Sequence, residues 1–117
     1  MIEDGTLLLT ELARQRSSID YSTFNDRVCD GALDLTNASH RNELAALLGD
    51  ISRQSAREHD VMLTALVHLK GHRMDVGTGF YSLAQELGRL PVGANAELRS
   101  IRLGHEIEKV YTWAAHA

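Results

Sequence analysis

Six histidines, one cysteine and a few clustered acids are the side chains of this 117-residue chain with acid-base, nucleophilic or metal-binding chemistry. His68 and His72 are four residues apart, a spacing that brings two imidazoles to one side of a helix. Here the first falls in an expected strand and the second lies beyond Gly71, so convergence does not follow. Glu58-His59-Asp60 sets three titratable groups in a row, but consecutive side chains point in different directions and do not meet at a reacting atom. Together with His68, His72 and Asp75 they make the weakest functional alternative, a metal-dependent or hydrolytic enzyme. Cys29 has Asp30 beside it and only Arg27 nearby to favour the thiolate, so an inert thiol is expected rather than a nucleophile. No catalytic residue, metal site or cofactor is expected, and the chain is not read as an enzyme.

Gly77-Thr78-Gly79 ahead of a helix resembles an anion-binding turn, because free amide groups at a helix start can hold phosphate. It lacks the Gly-Lys-Ser/Thr ending of a P-loop and the third glycine of a dinucleotide fingerprint. A flexible turn with Thr78 as a cap accounts for it better. Arg41, Asn42, Arg53, Gln54 and Arg57 form the more promising set, since arginine can contact phosphate or guanine and the amides can read adenine edges. Lys70, His72 and Arg73 follow at a glycine-containing turn.

These groups depend on the elements that carry them. A first helix is expected over residues 6–17, with Asp4 and Thr6 as caps, and a short second one is capped by Asp20 or Ser22. Phe24 and Val28 would be buried there, and Asp30-Gly31 would stop it. The cluster Thr36-Asn37-Ala38-Ser39 precedes the longest helix, residues 40–57. Leu44, Leu47, Leu48 and Ile51 mark its core side, and the five cationic and amide residues fall on the opposite side. Residues 61–69 read as the one strong strand, which must find a partner in residues 73–76, in residues 33–35, or in another chain. Residues 80–87 form a short helix, and Asn95 caps a last helix over residues 96–115. Leu103, Ile107, Val110, Tyr111 and Trp113 lie along that helix in a broad apolar stripe suited to a second copy of the chain or, equally, to packing against the first helix.

Forty-four per cent apolar residues suffice for one core, so residues 1–117 are expected to form a single α+β, mainly helical domain. No run approaches the roughly 18 apolar residues of a membrane span. The acidic start and the lone cysteine fit an untargeted cytoplasmic protein. A net charge of −4 argues against indiscriminate coating of nucleic acid. Up to Asp34, however, seven acids face three bases, whereas nine of each follow, which leaves room for a local basic surface.

The order helix, short helix, long helix, strand and glycine turn, with the run Ile19-Asp20-Tyr21-Ser22-Thr23-Phe24, resembles winged helix-turn-helix domains, among them the DNA-binding part of alkylguanine-DNA alkyltransferases. The resemblance covers residues 19–80. It implies a β-hairpin wing carrying Lys70 and Arg73, a third helix in the major groove, and DNA as partner. The Pro-Cys-His-Arg nucleophile motif of the alkyltransferases is absent, so alkyl transfer is not implied. The expected protein is a winged-helix-like nucleic-acid-binding or transcription-regulatory homodimer. The alternative is a protein-interaction module, a small inhibitor or adaptor, that uses the acidic first third and the aromatic last helix.

Overall fold

Helix α1 (Ile2–Arg14) starts earlier than residue 6, because Glu3 and Asp4 in its first turn complement the positive end of the helix dipole. Asp4 and Thr6 are therefore inside the helix rather than caps. The computed structural model describes residues 1–69 and 76–116. Strand β1 (Ile19–Asp20) leads directly into α2 (Tyr21–Val28), whose first turn is capped by Asp20 accepting from the Thr23 amide at 2.8 Å. Phe24 is fully buried, and Asp30 and Gly31 adopt positive φ where the chain turns away.

Helix α3 (Ala38–His59) is capped by Asn37, which accepts from the Ser39 and His40 amides. Leu44, Leu48 and Ile51 enter the core as the periodicity predicts, with Leu47 half-buried. Asp60 ends the helix in the left-handed region at φ 60°.

The strand expected over residues 61–69 is mostly something else. Leu63–Leu66 form a 3-10 turn, and only β2 (Val67–His68) is extended and paired. The cause is long-range. Ser55 donates to the Val61 carbonyl at 2.7 Å and accepts from the Leu63 amide at 3.2 Å, while Ser52 accepts from the Thr64 amide at 3.1 Å. Glu106 takes the Met62 amide at 2.9 Å. Side chains thus satisfy backbone groups that a strand would have left to a neighbouring strand, and the segment is buried without a ladder.

β2 pairs in parallel with β1, Ile19 opposite Val67 and Asp20 opposite His68. That partner was not among those the sequence suggested. Leu33 is occupied elsewhere, bonded to Asn25 in both directions. Residues 73–75 of the expected return strand lie outside the described residues, and Val76 is buried without strand structure. Among the described residues there is no hairpin, and the sheet is two-stranded and parallel.

Helix α4 (Thr78–Glu86) is preceded by Gly77, not capped by Thr78. Helix α5 (Ala96–Ala115) is capped by Asn95, which accepts from the Leu98 amide. The chain is α+β and mainly helical, with one buried cluster joining the five helices of the described residues. No helix among the described residues is long and apolar enough to cross a membrane.

The broad stripe of α5 has a role inside the chain. Leu103, Ile107, Val110 and Tyr111 are buried against α1 and the 3-10 turn, and the Tyr111 hydroxyl donates to the Ser17 carbonyl at 3.2 Å. Trp113 is half-buried and stacks on His59, ring centroids 4.8 Å apart. Of the two roles open to this stripe, a second copy or the first helix, the fold shows the second: α1 and the turn offer the apolar area that a partner helix would have supplied.

Candidate functional site

Helix α3 turns its polar residues outward, with Arg41 apart from the rest. With about 100° of rotation per residue, Asn42, Arg53, Arg57 and Gln54 stand roughly 100°, 120°, 160° and 220° around the axis from Arg41, so these four share one side of the helix. Their partners divide them further. The Arg53 guanidinium grips Glu86 of α4 through Nε at 3.0 Å and Nη2 at 3.4 Å, and reaches Asp50 at 3.5 Å. Those hydrogen bonds and charges hold Glu86 below the usual carboxylate range and push Arg53 up. Gln54 donates to Glu58 at 3.4 Å. Asn42 and Arg57 are exposed and have no hydrogen-bond partner among the described residues. Lys70 and Arg73, the expected wing residues, lie outside the described residues, as do His72 and Asp75.

Arg41 belongs to a different arrangement. Its Nη1 donates to the Leu35 carbonyl at 3.1 Å, which holds the guanidinium at the rim of a cavity of about 430 Å³ between α3 and α4. Leu35, Leu44, Leu48, Leu69, Phe80 and Leu83 make its walls apolar. Asn42, Ser22 and the Gly77-Thr78-Gly79 turn contribute polar groups. The turn and Arg41 were separate features of the sequence, 36 residues apart, and the fold brings them to one opening.

The local chemistry of the turn is specific. The Tyr21 hydroxyl accepts from the Gly77 amide at 2.9 Å, so that amide is not free for a ligand. A Cβ on residue 77 would lie 2.8 Å from the same oxygen, which is why a glycine is needed for this approach. The amides of Thr78 and Gly79, at the start of α4, have no acceptor among the described residues. A Cβ on Gly79 would meet open space. The cavity therefore combines apolar walls with Arg41, Asn42 and the start of α4 in its lining. An ordinary ligand cleft has this composition and falls in this size range.

The other candidate chemistry does not assemble. His59 and Glu58 are 3.8 Å apart on the surface, and His68 lies in β2 with its Nδ1 against the Leu69 carbonyl. Among the described residues no three His, Cys, Asp or Glu side chains stand where they could hold a metal ion. Burial pushes the Cys29 thiol up, and the charge of Asp30 adds to the effect, so the thiolate is disfavoured.

No protein-family model, no curated protein and no solved structure matches the chain.

Proposed function

We propose that this chain is a small binding module that takes up an amphipathic molecule in the cleft between α3 and α4. The ligand is apolar along most of its length and anionic or hydrogen-bond-accepting at one end. One observation carries the reading: Arg41, Asn42, Thr78 and Gly79 line one cavity together with several leucines and a phenylalanine. Apolar walls supply affinity by removing ligand surface from water, and the few polar groups at the rim fix orientation.

The test uses 8-anilinonaphthalene-1-sulfonate, an apolar body with one anionic end. Saturable fluorescence enhancement is expected from the native chain. Ala45→Trp, at an exposed position that lines the cleft, is expected to abolish it by filling the space. Arg41→Ala should weaken it about tenfold, the worth of one charge-assisted hydrogen bond. Enhancement that Ala45→Trp leaves unchanged would place the dye elsewhere and overturn the reading.

A second reading, nucleic-acid binding by a winged-helix-like domain, is favoured by the order α1, β1, α2, α3, β2. In it the exposed side of α3 meets the groove, with Asn42 and Arg57 as its unencumbered contacts. Arg53 would first have to leave Glu86. Binding to duplex DNA that weakens with salt and is lost in Arg53→Ala plus Arg57→Ala supports this second reading. Absent or salt-independent binding removes it.

A further inference from the structure

Helix α5 carries Arg99, Arg102 and Lys109 along one side, at spacings of three and seven residues, with His105 between them. Arg89 enters the same space from the α4–α5 connection. Together they line a second cleft, of about 250 Å³, whose remaining walls include Tyr81 and Phe80. In a chain whose net charge is −4, four cations at one cleft are a concentration that composition does not suggest.

The carboxylates nearby account for only half of them. Glu106 and Asp60 are both bonded to Arg89, and Asp60 also pairs with Lys109 at 2.9 Å. Arg99 and Arg102 have no carboxylate partner among the described residues. Arg102 reaches only the Arg89 carbonyl, at 3.4 Å. The Arg99 guanidinium lies 5.3 Å from the centre of the Tyr81 ring. Its Nε is closed off from solvent and has no hydrogen-bond partner among the described residues. A shielded donor of a charged group left without an acceptor is costly, and turning the guanidinium toward an anion in the cleft would remove that cost.

From these two observations, the uncompensated arginine pair and the orphaned Nε, we infer that the α4–α5 cleft binds a phosphate monoester. Two guanidinium groups on successive turns of a helix present planar forks that match phosphate oxygens in a bidentate manner, and their summed charge balances a phosphate dianion. Phe80 and Tyr81 meet edge to face at 5.8 Å and offer an apolar wall to the organic part of the ester. This site shares only Phe80 with the α3–α4 cleft and does not depend on the function proposed for it.

Isothermal titration calorimetry with phenyl phosphate and with inorganic phosphate tests the inference, in buffer of constant ionic strength maintained with chloride. Phenyl phosphate is expected to bind saturably and more tightly than inorganic phosphate. Arg102→Gln, at an exposed position, should weaken phenyl phosphate at least about tenfold, and Arg99→Gln plus Arg102→Gln should abolish its binding. Circular dichroism verifies the fold of each variant. Ala45→Trp should leave the binding unchanged, which separates this site from the first cleft. Equal affinity for phosphate and phenyl phosphate would show that the organic part adds nothing and overturn the monoester assignment. So would binding insensitive to Arg102→Gln, no heat from either probe, or arginine-dependent binding of duplex DNA without binding of phenyl phosphate.

Discussion

Glu106 accepts from Nη1 of Arg89 with both carboxylate oxygens, at 2.9 and 3.2 Å, and so ties the α4–α5 connection to the middle of α5. Its Oε1 also takes the Met62 amide at 2.9 Å. With side chains 11% and 18% exposed, the pair is largely withdrawn from water, and breaking it leaves the Met62 amide without its acceptor and Arg89 with Asp60 as its remaining carboxylate. Glu106→Ala is expected to cost about 3 kcal/mol, and Glu106→Gln less, because the amide oxygen can still accept from Met62. Urea denaturation checks this. A loss below about 1 kcal/mol for Glu106→Ala would mean that the pair behaves as a surface contact.

Two helical glycines should respond to alanine with opposite signs. A Cβ on Gly5 would sit 2.6 Å from Cδ1 of Ile51 and 3.2 Å from Cζ of Phe24, so α1, α2 and α3 are packed around a missing methyl. Gly5→Ala is expected to destabilise by about 1–3 kcal/mol through overpacking. Gly104 is exposed in α5, and a Cβ there meets nothing within 4 Å. Gly104→Ala should stabilise by about 0.5–1 kcal/mol, since only the helix preference of alanine operates. Thermal melts of the two variants give the comparison, and a shift in the same direction for both would contradict the packing described.

The buried serines of α3 hold the 3-10 turn in place. Ser55→Ala removes the donor to the Val61 carbonyl and the acceptor for the Leu63 amide, and is expected to cost about 1–3 kcal/mol. Hydrogen exchange at the Leu63 amide should accelerate by more than the global loss of stability accounts for. Unchanged relative protection would show that the turn is held by packing alone.

Asp60 carries the acid-sensitive contact at the end of α3. Hydrogen bonding and charge from Lys109, and then from Arg89, hold its carboxyl below the usual range. A depressed folded-state value contributes stability above the unfolded carboxylate value, near pH 4, and loses it as pH falls through the lower folded value. Asp60→Asn keeps a side chain tolerant of the left-handed backbone and removes the charge. At pH 7 the variant should melt below the native chain, and the gap should narrow as the pH is taken from about 5 to about 2. A constant gap across that window would assign the effect to something other than titration of Asp60.

Features set by residues a few positions apart were legible in the sequence. Asp20, Asn37 and Asn95 cap their helices through amides two or three residues on, and Leu44, Leu48 and Ile51 face the core because a helix repeats every 3.6 residues. Arg41, Asn42 and the Gly77-Thr78-Gly79 turn could each be recognised as polar groups able to bind an anion or a base edge. Their meeting at one cleft could not, since nothing local relates residue 41 to residue 79. The β-branched run from residue 61 read as a strand because its serine and glutamate partners, Ser52, Ser55 and Glu106, are brought to it only by packing of α3 and α5. For the same reason the α5 stripe left a second copy and the first helix as equal choices until α1 and the turn were seen to cover it. The arginine cleft was hidden by counting charge along the chain, where Arg99 and Arg102 are balanced by acids. Local hydrogen bonds and periodicity are written in adjacent residues, whereas the pairing of charges and the filling of apolar faces depend on distances that only the folded chain sets.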